Sequence, residues 1–389
     1  MIRYEQDIGG GQPLLTPLLT PVRVGDLRLP NRVVMAPMTR ARACGPGLVP
    51  TDLHAVYYGQ RATAGLIVAE AAWVSQDAIG FPGVPGIVTE GQVAGWRRVT
   101  DVVHALGGRI VLQLWHAGAN SHPDLLGGAA PAGPSPIDPG EVCWTPGGFK
   151  DTVTPREMSG ADIARAVAAY GAAAANARRA GFDGVEIAAN GTYLLAQFLN
   201  PRLNRRRDAY GADRARLLLE VVDAVTAVWE GRRVGVRLSP YWTSRDRGRV
   251  PAREAPYAYT ADEESLAGFE AVVAGLDRRP LAYLHLRGRA PSGPGAVPDV
   301  DEFARFRKLF GGPLIANHGF GRESGNAVVE AGIADAVSFA GLFIANPDLV
   351  SRFALGQEPA ADDADARYGG GARGYVDYPI WPGTRAAPG

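Results

Sequence analysis

Cysteine, net charge and long apolar runs are scarce or missing in this chain of 389 residues, and each shortage excludes a class of protein. The two cysteines, Cys44 and Cys143, form no Cys-x-x-Cys pair and are too few for a disulfide framework, so we expect free thiols in a reducing cytosol. Lys+Arg and Asp+Glu each number 40, and a formal net charge of zero gives no general attraction to nucleic acid or to an anionic membrane. Because no run of roughly 18 apolar residues occurs and the first dozen residues are polar, we expect no membrane span, no signal peptide and a cytoplasmic location.

Signatures of several common enzyme classes are missing as well. No G-x-G-x-x-G follows the first apolar run, which argues against an open dinucleotide-binding sheet. No carboxylates cluster in the pattern that glycoside hydrolysis needs. His116 and His122 are the nearest approach to a metal-ligand pair, and no His, Asp or Glu spacing is typical of a metal site, so we expect no metal.

The chain does have a short apolar run that recurs eight times, each time followed by a longer segment of helical pattern. Runs this short, without alternation, are typical of parallel strands buried on both faces. The alternation predicts an α/β fold, and eight repeats favour a closed (β/α)8 barrel, or TIM barrel, over an open sheet. The predicted strands are residues 33–36, 65–69, 109–114, 184–187, 234–238, 283–286, 313–316 and 336–339.

We predict one barrel domain over residues 14–365, with an N-terminal extension (1–13) and a C-terminal tail (366–389). The tail carries the aromatic cluster 375–379, so part of it should pack on the barrel. Residues 119–155 form a long Gly/Pro-rich loop after the third strand, and loops of this length are usually functional or disordered. We interpret it as a lid or wall over the barrel mouth.

Active sites of (β/α)8 barrels lie at the carboxyl ends of the strands, so the residues that close each run are the candidates. They combine hydrogen-bonding side chains, one fixed cation at Arg237, and Gly-containing turns after the seventh and eighth strands. Such turns bind phosphate in many barrels. The candidates are Pro37, Met38, Thr39, Ala71, Gln113, Trp115, Asn190, Tyr193, Asn317, His318, Gly319, Ala340 and Gly341.

Several motifs at these strand ends resemble the old yellow enzyme family of FMN-dependent oxidoreductases. They are residues 31–40, 57–62, 112–116, 180–187, 235–240 and 346–349, and the resemblance covers about 15–379. It implies a ping-pong reduction of an activated alkene, in which NAD(P)H reduces FMN and FMN N5 then delivers hydride to the β-carbon.

Residue by residue, the resemblance implies four groups of contacts. Those expected against the isoalloxazine ring are Ala36, Pro37, Met38, Thr39 and Ala71. Gln113 is expected at the pyrimidine edge, and Arg237 near N1 and C2=O, where negative charge develops on reduction. The phosphate turn is expected from Asn317, His318, Gly319, Ala340 and Gly341. The substrate pocket is expected from Trp115, Ala188, Asn190, Gly191 and Tyr375, with Tyr193 as the catalytic proton donor.

Each of these polar residues also has a purely structural interpretation. Arg237 could pair with a core carboxylate, Gln113 with a backbone group, and Thr39 could cap a turn. Tyr193 could be a buried tyrosine with a satisfied hydroxyl.

The sequence departs from the family at positions that bind substrate and phosphate. The fourth-strand motif has Ala188 and Gly191 where the family has His and Asn or His, and neither has a side-chain donor. One donor aimed at a developing oxyanion is worth ~10²–10³ in rate, so ordinary enone reduction should be slow. Asn190, one position early, could substitute only if the backbone re-registers. Gly341 takes the place of a phosphate-facing Arg and His318 that of a Gly, which should weaken FMN binding by ~1.5–3 kcal/mol for the lost charged hydrogen bond.

These departures leave three hypotheses. The first is an FMN-dependent oxidoreductase that acts on an unusual, biosynthetic small molecule. The second is a non-redox isomerase or cyclase on the same scaffold, with flavin lost or structural, that uses Tyr193 or His318. The third is a non-catalytic binding protein, because fold does not imply function. A monomer or a homodimer is expected in each case.

Overall fold

The computed structural model describes residues 16–229, 232–241, 261–289, 291 and 296–380. Eight parallel strands close into a barrel, and each of the eight predicted runs overlaps one of them. The (β/α)8 prediction is therefore confirmed. The barrel strands are β3 (Val33–Met35), β4 (Leu66–Trp73), β5 (Ile110–Trp115), β10 (Gly184–Ala189), β11 (Val234–Leu238), β12 (Tyr283–Arg287), β13 (Leu314–Asn317) and β14 (Ala336–Phe339).

Helices follow most of the barrel strands, and capping explains where several of them begin. Helix α3 begins after Ser159, whose hydroxyl accepts from the backbone N–H of Asp162, and its last turn leads into Gly181 with φ +85°. In the described part of the chain no helix is long and apolar enough to cross a membrane. The helices are α1 (Asp52–Gly59), α2 (Glu90–Ala105), α3 (Gly160–Arg179), α4 (Leu194–Leu199), α5 (Ala209–Ala212), α6 (Arg216–Thr226), α7 (Glu263–Asp277), α8 (Asp301–Arg307), α9 (Arg322–Glu330), α10 (Gly341–Ala345) and α11 (Leu349–Ala354). Short 3₁₀ helices occupy Pro17–Leu19, Pro46–Leu48, Gln76–Ala78, Gly118–Asn120, Pro123–Leu125 and Ala364–Ala366.

The barrel interior is apolar at one end and polar at the other. An N-terminal hairpin, β1 (Val22–Val24) and β2 (Leu27–Leu29), packs with inward residues such as Val34, Val111 and Ile315 in one buried cluster. Residues two positions further along the strands point to the same side, because side chains alternate in a strand. At that level the buried residues are Gln113, Glu186, Arg237, His285, Asn317 and Ser338. The sequence therefore places polar chemistry at the carboxyl ends of the strands.

The loop after the third barrel strand has secondary structure of its own. Strands β7 (Val142–Thr145) and β8 (Gly148–Asp151) form an antiparallel hairpin, and β6 (Ala132–Gly133) pairs with β9 (Arg156–Glu157). Gln197 of α4 fixes the start of the loop by accepting from the Ala119 N–H at 3.0 Å and donating to the Ala117 carbonyl at 3.0 Å. The predicted role as a lid stays a prediction.

The described part of the C-terminal tail packs on the barrel through arginines that follow β3. Arg40 donates to the carbonyls of Arg367 and Gly374, and Arg42 donates to carbonyls of the same segment, among them that of Ala366 at 2.8 Å. The ring of Tyr375 stacks on Tyr57 of α1 with centroids 4.1 Å apart. Residues 1–15 and 381–389 lie outside the described residues, so the predicted domain boundaries stay predictions.

Candidate active site

A chain of buried hydrogen-bonding side chains crosses the polar end of the barrel. Gln113 donates to Glu186 at 2.8 Å, and Glu186 lies 2.8 Å from Nδ1 of His285. His285 Nε2 lies 3.0 Å from Nη1 of Arg237, and Arg237 Nη2 donates to Asn317 Oδ1 at 2.7 Å. Register explains the proximity, since Arg237 pairs with His285 across β11 and β12, and Gln113 with Glu186 across β5 and β10.

The tautomer of His285 follows from its partners. A carboxylate accepts only, so Nδ1 must carry the proton that is donated to Glu186. Nε2 is then an acceptor, and it receives hydrogen bonds from Arg237 and from the Ser338 hydroxyl at 2.7 Å. His285 thus bridges the Glu186 carboxylate and the Arg237 guanidinium by hydrogen bonds.

Burial and neighbouring charges fix the ionisation states of this chain of residues. Burial, together with the positive charge of Arg237, lowers the pKa of His285 to about 4, so the imidazole is neutral near neutral pH. Burial alone would raise the pKa of Glu186, but His285 and Arg237 more than offset this, and its pKa lies below the ordinary value. Burial lowers the pKa of Arg237 to about 10, which leaves it charged. One guanidinium and one carboxylate therefore face each other through a neutral imidazole.

The residues expected against an isoalloxazine ring lie at the ends of β3 and β4. Ala36 is fully buried, and Pro37, Met38 and Thr39 are half-buried beyond it. Ala71 is buried within an irregularity of β4 between Ala69 and Ala72. The described residues thus place small or half-exposed side chains on this side of the mouth, and their contacts with a flavin stay predictions.

The turn after β13 has an unusual backbone. His318 has φ +94°, a left-handed value that is uncommon for any residue with a side chain, and Gly319 follows with φ +79°. His318 Nδ1 lies 3.1 Å from the Gly288 carbonyl and therefore donates to it, so Nε2 accepts from Arg287 Nη2 at 3.1 Å. His318 and Arg287 are thereby tied together beside the predicted phosphate turn.

The eighth-strand side of that turn is open. Ala340 is half-buried and Gly341 is exposed, and a side chain added at Gly341 would meet nothing within 4 Å. Arg61, which follows α1, donates to the carbonyls of Phe343 and Ile344, each at 2.9 Å, and so fixes α10 directly after the turn. The backbone at Gly341 is exposed, and its contact with a phosphate stays a prediction.

The end of the fourth barrel strand offers few side-chain donors. Ala188 is buried beside Arg237, its partner in register, and the backbone N–H of Gly191 donates to Ser239 Oγ at 2.6 Å. Asn190 is half-buried, and its Oδ1 has no hydrogen-bond partner within the described structure. The predicted pair of substitutions thus leaves no side-chain donor at positions 188 and 191.

Three aromatic side chains meet at this end of the barrel. Trp115 at the end of β5 is buried, stacks on Phe81 with centroids 5.5 Å apart, and contacts the ring of Tyr193 edge-on at 5.2 Å. The indole Nε1–H of Trp115 is buried, and no acceptor for it occurs among the described residues. A buried unpaired donor is costly, ~1–3 kcal/mol, which suggests that a bound molecule supplies the acceptor.

Tyr375 lies in a different environment from Trp115. Its ring is fully buried against Tyr57 and His54 of α1, with the guanidinium of Arg42 4.5 Å above its centroid. These contacts tie the tail to α1, so its predicted place in a pocket wall stays a prediction.

The residues that sequence reasoning missed are the inward partners of Arg237. The three residues lie within strands, so in the sequence they appear only as members of apolar runs or of family motifs. They are Glu186, His285 and Ser338. A usable signal was present, because a charged or polar residue in a strand buried on both faces needs an internal partner. The structural interpretation of Arg237 was a pair with a core carboxylate. Arg237 instead hydrogen-bonds to His285, and His285 hydrogen-bonds to the carboxylate of Glu186.

The donor set fits an FMN. A buried guanidinium and a side-chain amide with two donors and one acceptor lie together at the barrel mouth, where flavin heteroatoms need both donors and positive charge. The strand-seven and strand-eight turns expose Gly319 and Gly341 for a phosphate. Among the described residues no three His, Cys, Asp or Glu side chains form a group that could hold a metal ion.

The chain is similar to several known proteins over most of its length. The model of the NADH:flavin oxidoreductase / NADH oxidase family matches residues 17–359. The flavin oxidoreductase hxnT of Emericella nidulans is 39% identical over 94% of this chain and 98% of its own length. The 12-oxophytodienoate reductase 1 of Oryza sativa subsp. japonica is 39% identical over 94% of this chain and 93% of its own. Among solved structures, morphinone reductase superposes with a TM-score of 0.86 at 41% identity, covering 96% of this chain and 99% of that one. Morphinone reductase in complex with tetrahydroNAD superposes with a TM-score of 0.84.

Proposed function

Because the chain belongs to the NADH:flavin oxidoreductase / NADH oxidase family and is an FMN-dependent oxidoreductase of the old yellow enzyme type that uses NAD(P)H, we propose that it reduces an activated alkene in an unusual, biosynthetic substrate. When bound, FMN supplies the hydride chemistry. The proposal concerns how this chain recognises the other reactant, the small molecule that accepts the hydride.

Each residue of the barrel mouth has a separate role in the proposed reaction. Arg237, held by His285 and Asn317, provides a fixed positive charge for the flavin pyrimidine ring, and Gln113 provides hydrogen bonds at its edge. Tyr193 holds the proton that completes the reduction, in the role of a general acid. Phe81 and Trp115 form an apolar wall that excludes water from this side of the pocket.

The unpaired indole N–H of Trp115 is the observation that carries the proposal. Positions 188 and 191 have no donor, and the Gly191 N–H is already used by Ser239. Trp115 Nε1 is a buried donor next to the ring of Tyr193 and without a partner in the described structure. We infer that the activating group of the substrate accepts from Trp115, with the half-buried amide of Asn190 as a second contact. A substrate whose hydrogen-bond acceptor lies next to Trp115, and whose remaining part is apolar, fits such a pocket.

Two substitutions test this assignment. Trp115→Phe removes the N–H and keeps a ring, and Tyr193→Phe removes the acid. With the natural substrate, identified by screening α,β-unsaturated metabolites, we expect the rate of flavin reoxidation to fall ~10²-fold or more for each. Reduction of the flavin by NAD(P)H should be unchanged, since neither residue acts in that half-reaction.

Matched controls are available in the same chain. Trp144→Phe changes a tryptophan of the β7–β8 hairpin that packs on Phe149, and Tyr170→Phe changes a fully buried tyrosine of α3. Both should leave reoxidation at the wild-type rate. Unchanged rates in Trp115→Phe would contradict the substrate assignment. A flavin that stays oxidised throughout turnover would favour a non-redox isomerase or cyclase instead.

A further inference from the structure

The guanidinium of Arg237 is held on two sides. Asn317 Oδ1 accepts from Nη2 at 2.7 Å, and His285 Nε2 accepts from Nη1 at 3.0 Å. Asn317 is itself fixed by donating to the Ser338 carbonyl at 3.0 Å. Because a guanidinium is planar, bonds to both terminal nitrogens fix its orientation as well as its position.

His285 is in turn fixed by partners from two other strands. Glu186 of β10 accepts from Nδ1 at 2.8 Å, and Ser338 of β14 donates to Nε2 at 2.7 Å. The side chains of Glu186 and His285 are fully buried. A buried carboxylate is costly unless it is paired. The presence of Glu186 near Arg237 therefore calls for an explanation beyond packing.

Glu186 offsets the positive charge of Arg237 within this hydrogen-bonded chain, and Arg287 at the end of β12 adds a second positive charge that, in addition to burial, lowers the pKa of Arg237. With Arg237 alone, the site would strongly favour an added negative charge. With Glu186 acting through His285, that preference is reduced, because the two opposite charges interact through a medium of low polarisability. This balance matters for an enzyme whose cofactor must both accept hydride from NAD(P)H and give it up.

We propose that Glu186 and His285 are positioning residues that fix the Arg237 guanidinium and reduce its net positive field, and that they thereby set the reduction potential of the bound flavin. They neither donate nor accept electrons, since the established activity takes two electrons and a proton as hydride from NAD(P)H. The proposal does not depend on the substrate.

The first test is Glu186→Gln, with the flavin midpoint potential measured anaerobically against a reference dye. The substitution removes a negative charge and keeps the shape. The amide oxygen of the new side chain can accept from His285 Nδ1, and its NH2 group can donate to Gln113. Both hydrogen bonds of position 186 are then kept, provided that the Gln113 amide rotates to present its oxygen. We expect the potential to rise by about 30 mV, which is a roughly tenfold shift toward the reduced form for a two-electron couple.

The second test removes the orientation of Arg237 rather than the charge. His285→Leu deletes an acceptor of the guanidinium and leaves the charge of Glu186 in place, so we expect the potential to fall and FMN to bind more weakly by fluorescence titration. His285→Gln should restore both toward wild type, because the amide can donate to Glu186 and accept from Arg237. A general loosening of the barrel would not move the potential in opposite directions in Glu186→Gln and His285→Leu.

Glu70→Gln is the matched control. Glu70 is a fully buried carboxylate within the barrel strand β4. Its Oε1 lies 3.5 Å from the Tyr58 hydroxyl of α1, and its Oε2 accepts from the backbone N–H of Arg40 at 3.2 Å. It should leave the flavin potential unchanged. Potentials equal to wild type in Glu186→Gln and His285→Leu, or a shift of the same size in Glu70→Gln, would overturn the proposal. If one of the two test variants does not take up FMN, the potential of the other decides.

Discussion

Restoring the missing donors should turn this protein into an ordinary enone reductase. The change is the double substitution Ala188→His with Gly191→Asn, which places side-chain donors where the chain has none. Ala188 lies two positions after Glu186 in β10, so its side chain points to the same side of the barrel, beside Arg237. A side chain at position 191 would begin 3.6 Å from the ring of Tyr193, an ordinary contact, so it would enter the space next to the predicted acid.

The backbone sets the cost of the change. Gly191 has φ +62°, where a residue with a side chain costs about 1–2 kcal/mol, and Asn tolerates this region better than most. The bond from its backbone N–H to Ser239 does not involve the side chain and should persist. Each restored donor is worth ~10²–10³ in rate, so we expect at least ~10²-fold faster flavin reoxidation by a simple cyclic enone.

The assay is anaerobic stopped-flow reoxidation of the NAD(P)H-reduced enzyme by 2-cyclohexenone, whose only polar group is its carbonyl. Ala188→Val with Gly191→Ala is the control, since it adds bulk and backbone strain at position 191 without donors, and it should not accelerate the reaction. The reasoning is refuted if the His/Asn variant folds, carries FMN and reoxidises no faster than wild type. In that case Ala188 and Gly191 do not limit enone reduction.

Further predictions concern stability. Gly235→Ala should lower the free energy of unfolding by about 1–3 kcal/mol in denaturant titrations, because the added Cβ would lie 2.2 Å from the buried ring of Tyr283. Gly268→Ala, in α7 with nothing within 4 Å of the new Cβ, should instead raise it by about 0.5–1 kcal/mol. Burial raises the pKa of Glu70 to about 7. Between the ordinary pKa of a glutamate and pH 7, the folded protein therefore binds more protons than the unfolded chain. As pH rises through that window, Glu70 progressively lowers the free energy of unfolding. Glu70→Gln should remove this loss, a gain over wild type of about 3 kcal/mol at pH above 7 and none at pH 4, and a constant difference across pH would contradict the assignment. Arg42→Met should cost about 3 kcal/mol and speed proteolysis within the C-terminal tail, because several part-buried carbonyls of the tail lose a charged donor.

The barrel was predictable because its signal is local and repeated. Each of the eight strands is a short apolar run, and burial on both faces leaves no alternation to confuse with a half-exposed strand. The hairpin β7–β8 was not predicted, since Trp144 and Phe149 are isolated aromatics in a Gly/Pro-rich segment. Their pairing depends on the turn between them and on the neighbouring chain, which periodicity does not record.

Some of the candidate site was visible in the sequence and some was not. Arg237 and Gln113 stood out because a cation and an amide close apolar runs at the end where barrels carry their chemistry. His285 and Glu186 did not, because their importance lies in contacts between residues 99 positions apart along the chain. The sequence could offer only their residue types, whereas register and strand tilt decide which of them meet.

The sequence by itself determined that this chain is a (β/α)8 barrel of the flavin oxidoreductase family and that positions 188 and 191 have no side-chain donor, since these are matters of local pattern and residue identity. Only the tertiary structure decided that Arg237 is held by His285 and Asn317, that His285 links it to Glu186, and that the indole N–H of Trp115 is buried beside Tyr193 without a partner in the described chain. The reason is physical: hydrogen bonds and charges act over a few ångströms in space, and closure of the barrel is what brings distant residues within that range.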